Sequence, residues 1–172
     1  CALAVKIKIK NILKTLDKLK SATGRFEEIN YKKKSSKIII DYAHTPDAMQ
    51  NLLKSYSNKS FKPSLVFGCG GDRDKGKRKK MSIIADKYAK EVYLTDDNPR
   101  NENANLIRKT LKKYCSKARN ISNRRLAIQT AISEMHEKDI LIIAGKGHEK
   151  YQIIKNKKYL FDDIKVVRDF IK

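Results

Sequence analysis

The chain has 172 residues, and its 40 Lys and Arg against 19 Asp and Glu give a formal net charge of +21. A composition of 40% hydrophobic and 34% charged residues is typical of a soluble globular protein with an ordinary apolar core. No apolar stretch approaches the roughly 20 residues that a membrane span needs, and no signal-peptide pattern is present, so a membrane protein is not expected.

The three cysteines, Cys1, Cys69 and Cys115, indicate the redox setting. Their odd number and wide spacing argue against a disulfide framework and against a zinc site of the C-x-x-C kind. We therefore expect a reducing, cytoplasmic location and assign no metal ligands. Because the chain opens at Cys1 and not at an initiator Met, we also expect it to be a fragment of a longer protein.

The charge of +21 raises the possibility of nucleic-acid binding. However, the lysines are spread along the whole chain, Trp is absent, and no aromatic and glycine signature of an RNA-binding motif is present. A general use of lysine on the surface explains the same charge. Nucleic-acid binding is therefore the weaker interpretation and remains an alternative.

The first 20 residues differ from the rest of the chain. Apolar residues from Ile9 to Leu19 have helical spacing, and the sequence Ser-Ala-Thr-Gly at residues 21–24 then provides a break. We therefore predict one helix followed by a domain boundary near Gly24.

Beyond that boundary, short apolar runs alternate with longer amphipathic segments. The short runs are rich in β-branched residues, which predicts buried strands at residues 37–42, 64–68, 91–95 and 139–144. Apolar residues at helical spacing predict five helices, around residues 48–56, 81–88, 107–114, 128–135 and 164–171. Two further runs, at residues 151–154 and 159–161, are consistent with a hairpin. This alternation predicts an α/β fold with a mostly parallel sheet and helices on its faces, whose ligand site lies at the carboxyl ends of the strands.

The first predicted strand ends in the sequence DYAHTPD. Thr45, Pro46 and Asp47 are the residues that begin a helix, as N-cap, first helical residue and first-turn acid. Helix capping does not require Asp41 or His44, so these two side chains could bind a ribose, a base edge or a phosphate. For His44, an imidazole hydrogen-bonded to loop backbone is an equally good interpretation.

The second predicted strand ends in a glycine-rich run, residues 67–78. Gly71, Gly76 and Lys77 match the phosphate-binding P-loop, but Arg78 stands where that loop needs Ser or Thr to hold Mg²⁺. The run is therefore interpreted as a polar recognition loop, with an ordinary strand-to-helix turn as the alternative.

The two remaining strand ends carry the sequences TDDNPR and AGKGHE. Asp97 offers a carboxylate to an ammonium group, Pro99 fixes the backbone, and Arg100 offers a fork that fits a carboxylate. Gly145 permits close approach of the backbone, and Glu149 supplies a second anion. An Asx-turn with a solvated arginine also explains TDDNPR, but four polar loops at one edge favour a ligand with several ammonium and carboxylate groups, such as an amino acid.

Five motifs resemble, in order and spacing, the C-terminal domain of Mur ligases, most nearly the MurE type. They are GRFEEI from Gly24, DYAHTPDA from Asp41, FGCGGDRDKGKR from Phe67, TDDNPR from Thr95 and AGKGHEKYQ from Ala144. The resemblance covers residues 24–172 and implies a Rossmann-like domain of an ATP-dependent amide-bond ligase of peptidoglycan synthesis. That ligase adds the third amino acid to UDP-N-acetylmuramoyl-L-alanyl-D-glutamate, after activating the D-glutamate carboxylate as an acyl phosphate.

The resemblance also implies which residues bind which ligand. The DNPR motif marks members that use meso-diaminopimelate and not L-lysine, in agreement with a role for Arg100 in binding a second carboxylate. The implied amino-acid pocket consists of Arg73, Asp97, Asn98, Pro99, Arg100, Gly145 and Glu149. The implied nucleotide contacts are Asp41, His44 and, from the interdomain loop, Arg25.

Several parts of a complete Mur ligase are not found in this sequence. They are the GKT-type P-loop, the UDP-binding domain and the central-domain lysine that is carbamylated to help hold Mg²⁺. Residues 1–23 are therefore expected to be the tail of the central ATPase domain, against which the C-terminal domain of residues 24–172 packs. ATP and Mg²⁺ would be bound mainly by the central domain, so no catalytic residue is assigned here and the fragment is not expected to catalyse alone. A stand-alone binding module for an amino acid or a nucleotide remains an alternative.

Overall fold

The computed structural model of the protein describes residues 8–16 and 22–172. The helices are α1 (Ile9–Leu16), α2 (Pro46–Ser55), α3 (Gly76–Tyr88), α4 (Ala104–Lys113), α5 (Arg124–Ser133) and α6 (Asp163–Ile171), with a 3-10 helix at Lys32–Lys34. The strands are β1 (Glu27–Tyr31), β2 (Ser36–Asp41), β3 (Ser64–Phe67), β4 (Val92–Leu94), β5 (Arg119–Asn120), β6 (Ile140–Ala144), β7 (Tyr151–Ile154) and β8 (Lys157–Leu160). The predicted helices, buried strands and hairpin are confirmed.

Six of the strands form one sheet in the order β1-β2-β6-β3-β4-β5. β1 runs antiparallel to β2, and the other neighbours are parallel. The two edge strands, β1 and β5, were not predicted. Residues of β1 alternate between half-buried and exposed, and both residues of β5 are exposed, so neither has the continuous apolar run of a buried strand.

Different helices cover the two faces of this sheet. On one face, strand residues such as Ile39 and Phe67 pack against α2, α3 and α4. On the other, strand residues such as Ile38 and Ile40 pack against α5 and α6. Because successive strand residues point to opposite faces, a strand covered on both sides is apolar throughout, as the run Ile38–Ile40 is.

The helix α1 confirms the helical spacing at the start of the chain up to Leu16. Its side chains Ile9 and Leu13 are exposed. Cys1, Leu19 and Ser21 lie outside the described residues. The boundary near Gly24 and the assignment of residues 1–23 to another domain remain predictions. Among the helices of the described part of the chain, none has the length and apolar character that crossing a bilayer requires.

Candidate functional site

A cavity of about 370 Å³ opens at the carboxyl ends of the parallel strands. It is lined by six of the seven residues predicted to bind the amino acid, together with His44 from the predicted nucleotide contacts; the six are Arg73, Asp97, Asn98, Arg100, Gly145 and Glu149. The strand order explains the grouping, because these side chains follow neighbouring parallel strands whose ends meet at one edge. Pro99, the seventh, is buried within the TDDNPR loop and does not line the cavity.

The Arg100 backbone is held in the left-handed region, with a φ of 50°. Its amide donates to the Ile153 carbonyl over 3.1 Å, and its carbonyl accepts from the Lys155 amide over 2.7 Å. These bonds attach the β7–β8 hairpin to the TDDNPR loop. Tertiary hydrogen bonds of this kind stabilise a conformation that a non-glycine residue rarely adopts.

The Arg100 guanidinium is anchored through one nitrogen. Its Nη1 donates to the Gly71 carbonyl over 2.9 Å and to the Asn98 carbonyl over 3.4 Å. Within residues 8–16 and 22–172, its Nε and Nη2 make no hydrogen bond, so two donors of the fork are available at the cavity. A guanidinium anchored in this way fits the paired oxygens of a carboxylate.

The glycine-rich run packs directly on the TDDNPR loop. The Gly71 amide donates to the Asn98 carbonyl over 2.9 Å. A Cβ on Gly71 would lie 2.0 Å from the Pro99 carbonyl oxygen, so only glycine permits this approach. The two loops that supply Arg73 and Arg100 are therefore held together by backbone contact.

Arg78, the residue that departs from the P-loop pattern, supports this run from below. Its guanidinium is buried and pairs with both carboxylate oxygens of Glu102, at 2.9 and 3.0 Å. Glu102 also accepts a 2.7 Å hydrogen bond from the Asp72 amide. The Arg78 hydrogen bonds, followed by the one from the Asp72 amide, hold the pKa of the Glu102 carboxyl below its usual range despite opposing desolvation. Arg78 therefore takes part in loop structure.

Glu149 lies in a network that also contains Asn98 and Lys146. The Asn98 side-chain amide donates to Glu149 over 2.9 Å. The Lys146 ammonium donates to Glu149 over 2.9 Å and to Asn98 over 3.0 Å, and the Lys146 side chain is fully buried. Sequence reasoning missed Lys146, because a lysine in a chain with 40 basic residues gives no local signal of burial.

Another buried ion pair lies at the end of β6. Arg124, at the start of α5, pairs with Asp163, at the start of α6, and both side chains are fully buried. Arg124 also donates to the Ala144 carbonyl over 3.1 Å. The pair connects α5 and α6 to the end of β6. It was not predicted from the sequence, because its partners are 39 residues apart.

Cys69 lines the cavity with a buried thiol. Burial raises the pKa of its thiol to about 12, and the sulfur lies 3.7 Å from the Met81 sulfur. The thiol is therefore protonated at neutral pH. No cluster of three or more His, Cys, Asp or Glu side chains suited to a metal ion occurs in the described part of the chain.

The three predicted nucleotide contacts lie in different environments. His44 is exposed, and its Nδ1 is 2.8 Å from the Tyr42 carbonyl, as the backbone-bonded interpretation predicted. Arg25 is exposed and lies over the Tyr42 ring at 4.7 Å from its centre. Asp41 is buried, and its carboxylate accepts from the Phe26 amide over 2.8 Å and the Ala43 amide over 2.7 Å. Neither Asp41 nor Arg25 lines the cavity.

The start of α2 confirms the predicted capping residues. Thr45 is the N-cap and accepts from the Ala48 amide over 3.3 Å, and Pro46 is the first helical residue. Lys77 donates to the His44 carbonyl over 2.9 Å. The loop that carries His44 is therefore held by a helix cap and by a bond from α3.

Comparison with known proteins gives consistent matches. Residues 24–147 match the family model described as Mur ligase, glutamate ligase domain. A UDP-N-acetylmuramoyl-L-alanyl-D-glutamate--2,6-diaminopimelate ligase of Rickettsia rickettsii is 46% identical over 167 residues, covering 94% of this chain and 34% of the relative. The chain thus spans about a third of the length of the curated relatives it matches.

Solved structures give the same result. A structure of a ligase with that name superposes with a TM-score of 0.78 and 38% identity, covering 99% of this chain and 36% of the other. A bifunctional folylpolyglutamate synthase/dihydrofolate synthase of Yersinia pestis, complexed with AMPPNP and a Mn ion, shares the fold at 20% identity and a TM-score of 0.59, covering 74% of this chain and 29% of the other. With a family model matched over residues 24–147, a parallel sheet of the expected topology and the motif loops at one edge, the chain belongs to the Mur ligase family.

Proposed function

We propose that this chain is the C-terminal, amino-acid-binding part of an ATP-dependent ligase. The reaction joins meso-diaminopimelate to UDP-N-acetylmuramoyl-L-alanyl-D-glutamate in peptidoglycan synthesis. Residues 24–172 form the amino-acid-binding domain, and residues 1–23 are the end of the central domain against which it packs. The names of the relatives at 46% and 38% identity support this proposal.

The observation that carries the proposal is the Arg100 fork beside two acidic side chains. Arg100 is anchored through Nη1, which leaves Nε and Nη2 for a carboxylate. Asp97 and Glu149 line the same cavity and can accept from an ammonium group. One arginine and two carboxylates complement an amino-acid end that carries both charges, and diaminopimelate has two such ends.

The residues Arg73, Asn98, Pro99 and Gly145 complete the proposed amino-acid pocket. Arg73 brings a second cation to the cavity, and Asn98 orients Glu149 through its amide. Pro99 acts indirectly, through the close approach of its carbonyl group to Gly71. In this proposal, diaminopimelate is bound so that its amine reaches the activated carboxylate of the UDP-dipeptide.

On the nucleotide side, we assign His44 and Arg25 to direct contacts and Asp41 to supporting the loop. His44 lines the cavity at the start of α2. The Arg25 guanidinium lies over the ring of Tyr42, which also lines the cavity, and so supplies a cation close to the cavity. ATP supplies the phosphoryl group that activates the D-glutamate carboxylate. We assign Mg²⁺ and most ATP contacts to the central domain.

We also propose a cytoplasmic location. The buried free thiols Cys69 and Cys115 are compatible with it, because thiols stay reduced in the cytoplasm.

The proposal is tested with the full-length protein that contains this chain. We expect ADP release only when ATP, the UDP-dipeptide and meso-diaminopimelate are all present, and no ADP release from the 172-residue chain alone. Failure of the full-length protein to use meso-diaminopimelate would refute the proposal. If the chain instead bound nucleic acid through its charge, its binding affinity would fall steeply with salt concentration and would not change in the Arg100→Ala variant.

A further inference from the structure

Lys146 is a buried cation next to the proposed amino-acid pocket. Its side chain has no exposed surface, although Gly145 and Glu149 of the same motif both line the cavity. Burying an ammonium group is costly unless it is paired and hydrogen-bonded. Its partners are the Asn98 Oδ1 atom at 3.0 Å and the Glu149 Oε2 atom at 2.9 Å.

The loop backbone directs Lys146 inward. The glycines on either side, Gly145 and Gly147, have φ values of 112° and 52°. A Cβ on Gly147 would lie 2.5 Å from the Gly24 carbonyl oxygen, so the loop can follow this path only with glycine at that position. The conformation thus places a lysine where a strand-end loop usually meets solvent.

Lys146 and the Ile153 amide together fix the orientation of the Asn98 side chain. The Asn98 Oδ1 atom accepts from Lys146 and also from the Ile153 amide over 2.9 Å. If the amide flipped, its NH₂ group would face both of these donors. The Nδ2 atom is therefore directed to Glu149, to which it donates over 2.9 Å.

The same ammonium determines which oxygen of Glu149 is available. The Oε2 atom accepts from both Lys146 and Asn98. In the described part of the chain the Oε1 atom has no hydrogen-bond donor, and the Glu149 side chain is 18% exposed and lines the cavity. One oxygen is engaged within the protein, and the other can accept from a ligand.

We infer that Lys146 is a positioning residue, which orients Asn98 and Glu149 so that the Oε1 atom of Glu149 accepts from an ammonium group of the amino-acid substrate. Lys146 does not contact the substrate itself. This inference rests on the proposed function. It adds a specific role for a side chain that is neither exposed nor part of the cavity lining.

The first test is Lys146→Met in the full-length enzyme, with Lys150→Met as the matched control on an exposed lysine of the same loop. Losing a hydrogen bond to a charged group should raise the KM for meso-diaminopimelate by about 10- to 100-fold, with KM for ATP changing by no more than about 2-fold. The control should leave all values unchanged. An unchanged KM for diaminopimelate, or an equal rise for both substrates, would overturn the inference.

A double-mutant cycle with Glu149→Gln tests the route of action. If Lys146 acts through Glu149, adding Lys146→Met to Glu149→Gln should raise the KM for diaminopimelate by no more than about 3-fold beyond Glu149→Gln alone. Any larger additional rise would show independent action and overturn the inference. This comparison also applies if Lys146→Met alone does not fold, because the double variant removes both charges of the buried pair.

The unmutated enzyme separates the two possible failures. If it does not use meso-diaminopimelate, the proposed function fails. If it does, and Lys146→Met retains its KM for diaminopimelate, only the positioning role fails.

Discussion

The two sides of the cavity are held by different kinds of interaction. The amino-acid side (Asp97, Asn98, Arg100 and Glu149) rests on backbone bonds and on the buried Lys146 ammonium. The proposed nucleotide side (Tyr42 and His44, with Arg25 next to them outside the cavity lining) consists of exposed or half-buried groups. The Tyr42 and His44 rings meet edge to face with centres 4.6 Å apart, and the Arg25 guanidinium lies over the Tyr42 ring.

This difference bears on where specificity arises. Side chains that are already oriented lose little conformational freedom when a ligand binds, so small changes in ligand charge have large effects on affinity. Exposed groups that are held by ring contacts are oriented less strictly. We therefore expect the side chains of the amino-acid side to discriminate between substrates without help from another domain. We expect the side chains of the nucleotide side to become fully oriented only when the central domain of the proposed full-length enzyme closes on them.

The largest effect is expected below the amino-acid side, at the Arg124–Asp163 pair. Removing one partner leaves a buried charge without compensation, so Asp163→Ala should lower the free energy of unfolding by about 3–5 kcal/mol. The matched control is Asp169→Ala, which removes a surface pair with Lys172 and should cost less than about 1 kcal/mol. Urea denaturation measures both, and similar small losses would contradict the proposed support by buried charges.

A smaller and pH-dependent effect is expected at Glu102. Because Arg78 lowers the pKa of Glu102 in the folded state, this carboxylate stabilises the fold above its unfolded pKa, and the stabilisation is lost as pH falls through the folded pKa. The Tm of the unmutated protein should exceed that of Glu102→Gln at pH 7, and the gap should close in acid, below the unfolded pKa of about 4.5. A gap that is constant from pH 7 to pH 3 would show that the charge of Glu102 is not involved.

On the nucleotide side, His44→Ala should act on ATP more than on the amino acid. Loss of one exposed hydrogen-bonding group is expected to raise the KM for ATP by about 5- to 10-fold, with a smaller change for diaminopimelate. His136→Ala provides the control. His136 is also exposed, but it precedes β6 and therefore lies at the end of the sheet opposite to the cavity. A larger effect on diaminopimelate than on ATP would show that this loop serves the other ligand.

The smallest effect is expected at the cap of α2. Thr45→Ala removes the bond to the Ala48 amide and should lower the free energy of unfolding by about 1 kcal/mol. Thr45→Ser retains the hydroxyl group and should leave stability nearly unchanged. Equal losses in the two variants, measured by urea denaturation, would show that the hydroxyl does not cap the helix.

Burial on both sides made the central strands predictable from sequence. Runs such as Ile38–Ile40 are apolar throughout, whereas the exposed edge strands β1 and β5 have no comparable pattern. The polar loops could be grouped at one edge because parallel strands end together.

The supporting residues of the site could not be predicted in the same way. Lys146, Arg78 and Arg124 are buried cations in a chain of 40 basic residues, and each has at least one partner distant in sequence. Lys146 pairs with Glu149 three residues away, but its other partner, Asn98, lies 48 residues away. Arg78 pairs over 24 residues and Arg124 over 39. Local periodicity carries no information on such pairs, and only the packed structure shows which charges are withdrawn from water.

The most direct measurement compares kcat/KM for meso-diaminopimelate and L-lysine in the full-length enzyme and in its Arg100→Ala variant. Lysine lacks the second carboxylate, so the unmutated enzyme should prefer diaminopimelate by about 10²- to 10³-fold, the equivalent of one broken buried arginine–carboxylate pair. Arg100→Ala should remove most of this preference by losing diaminopimelate and not by gaining lysine. Equal use of lysine by the unmutated enzyme, or an unchanged ratio in the variant, would contradict the assignment of Arg100 to the second carboxylate.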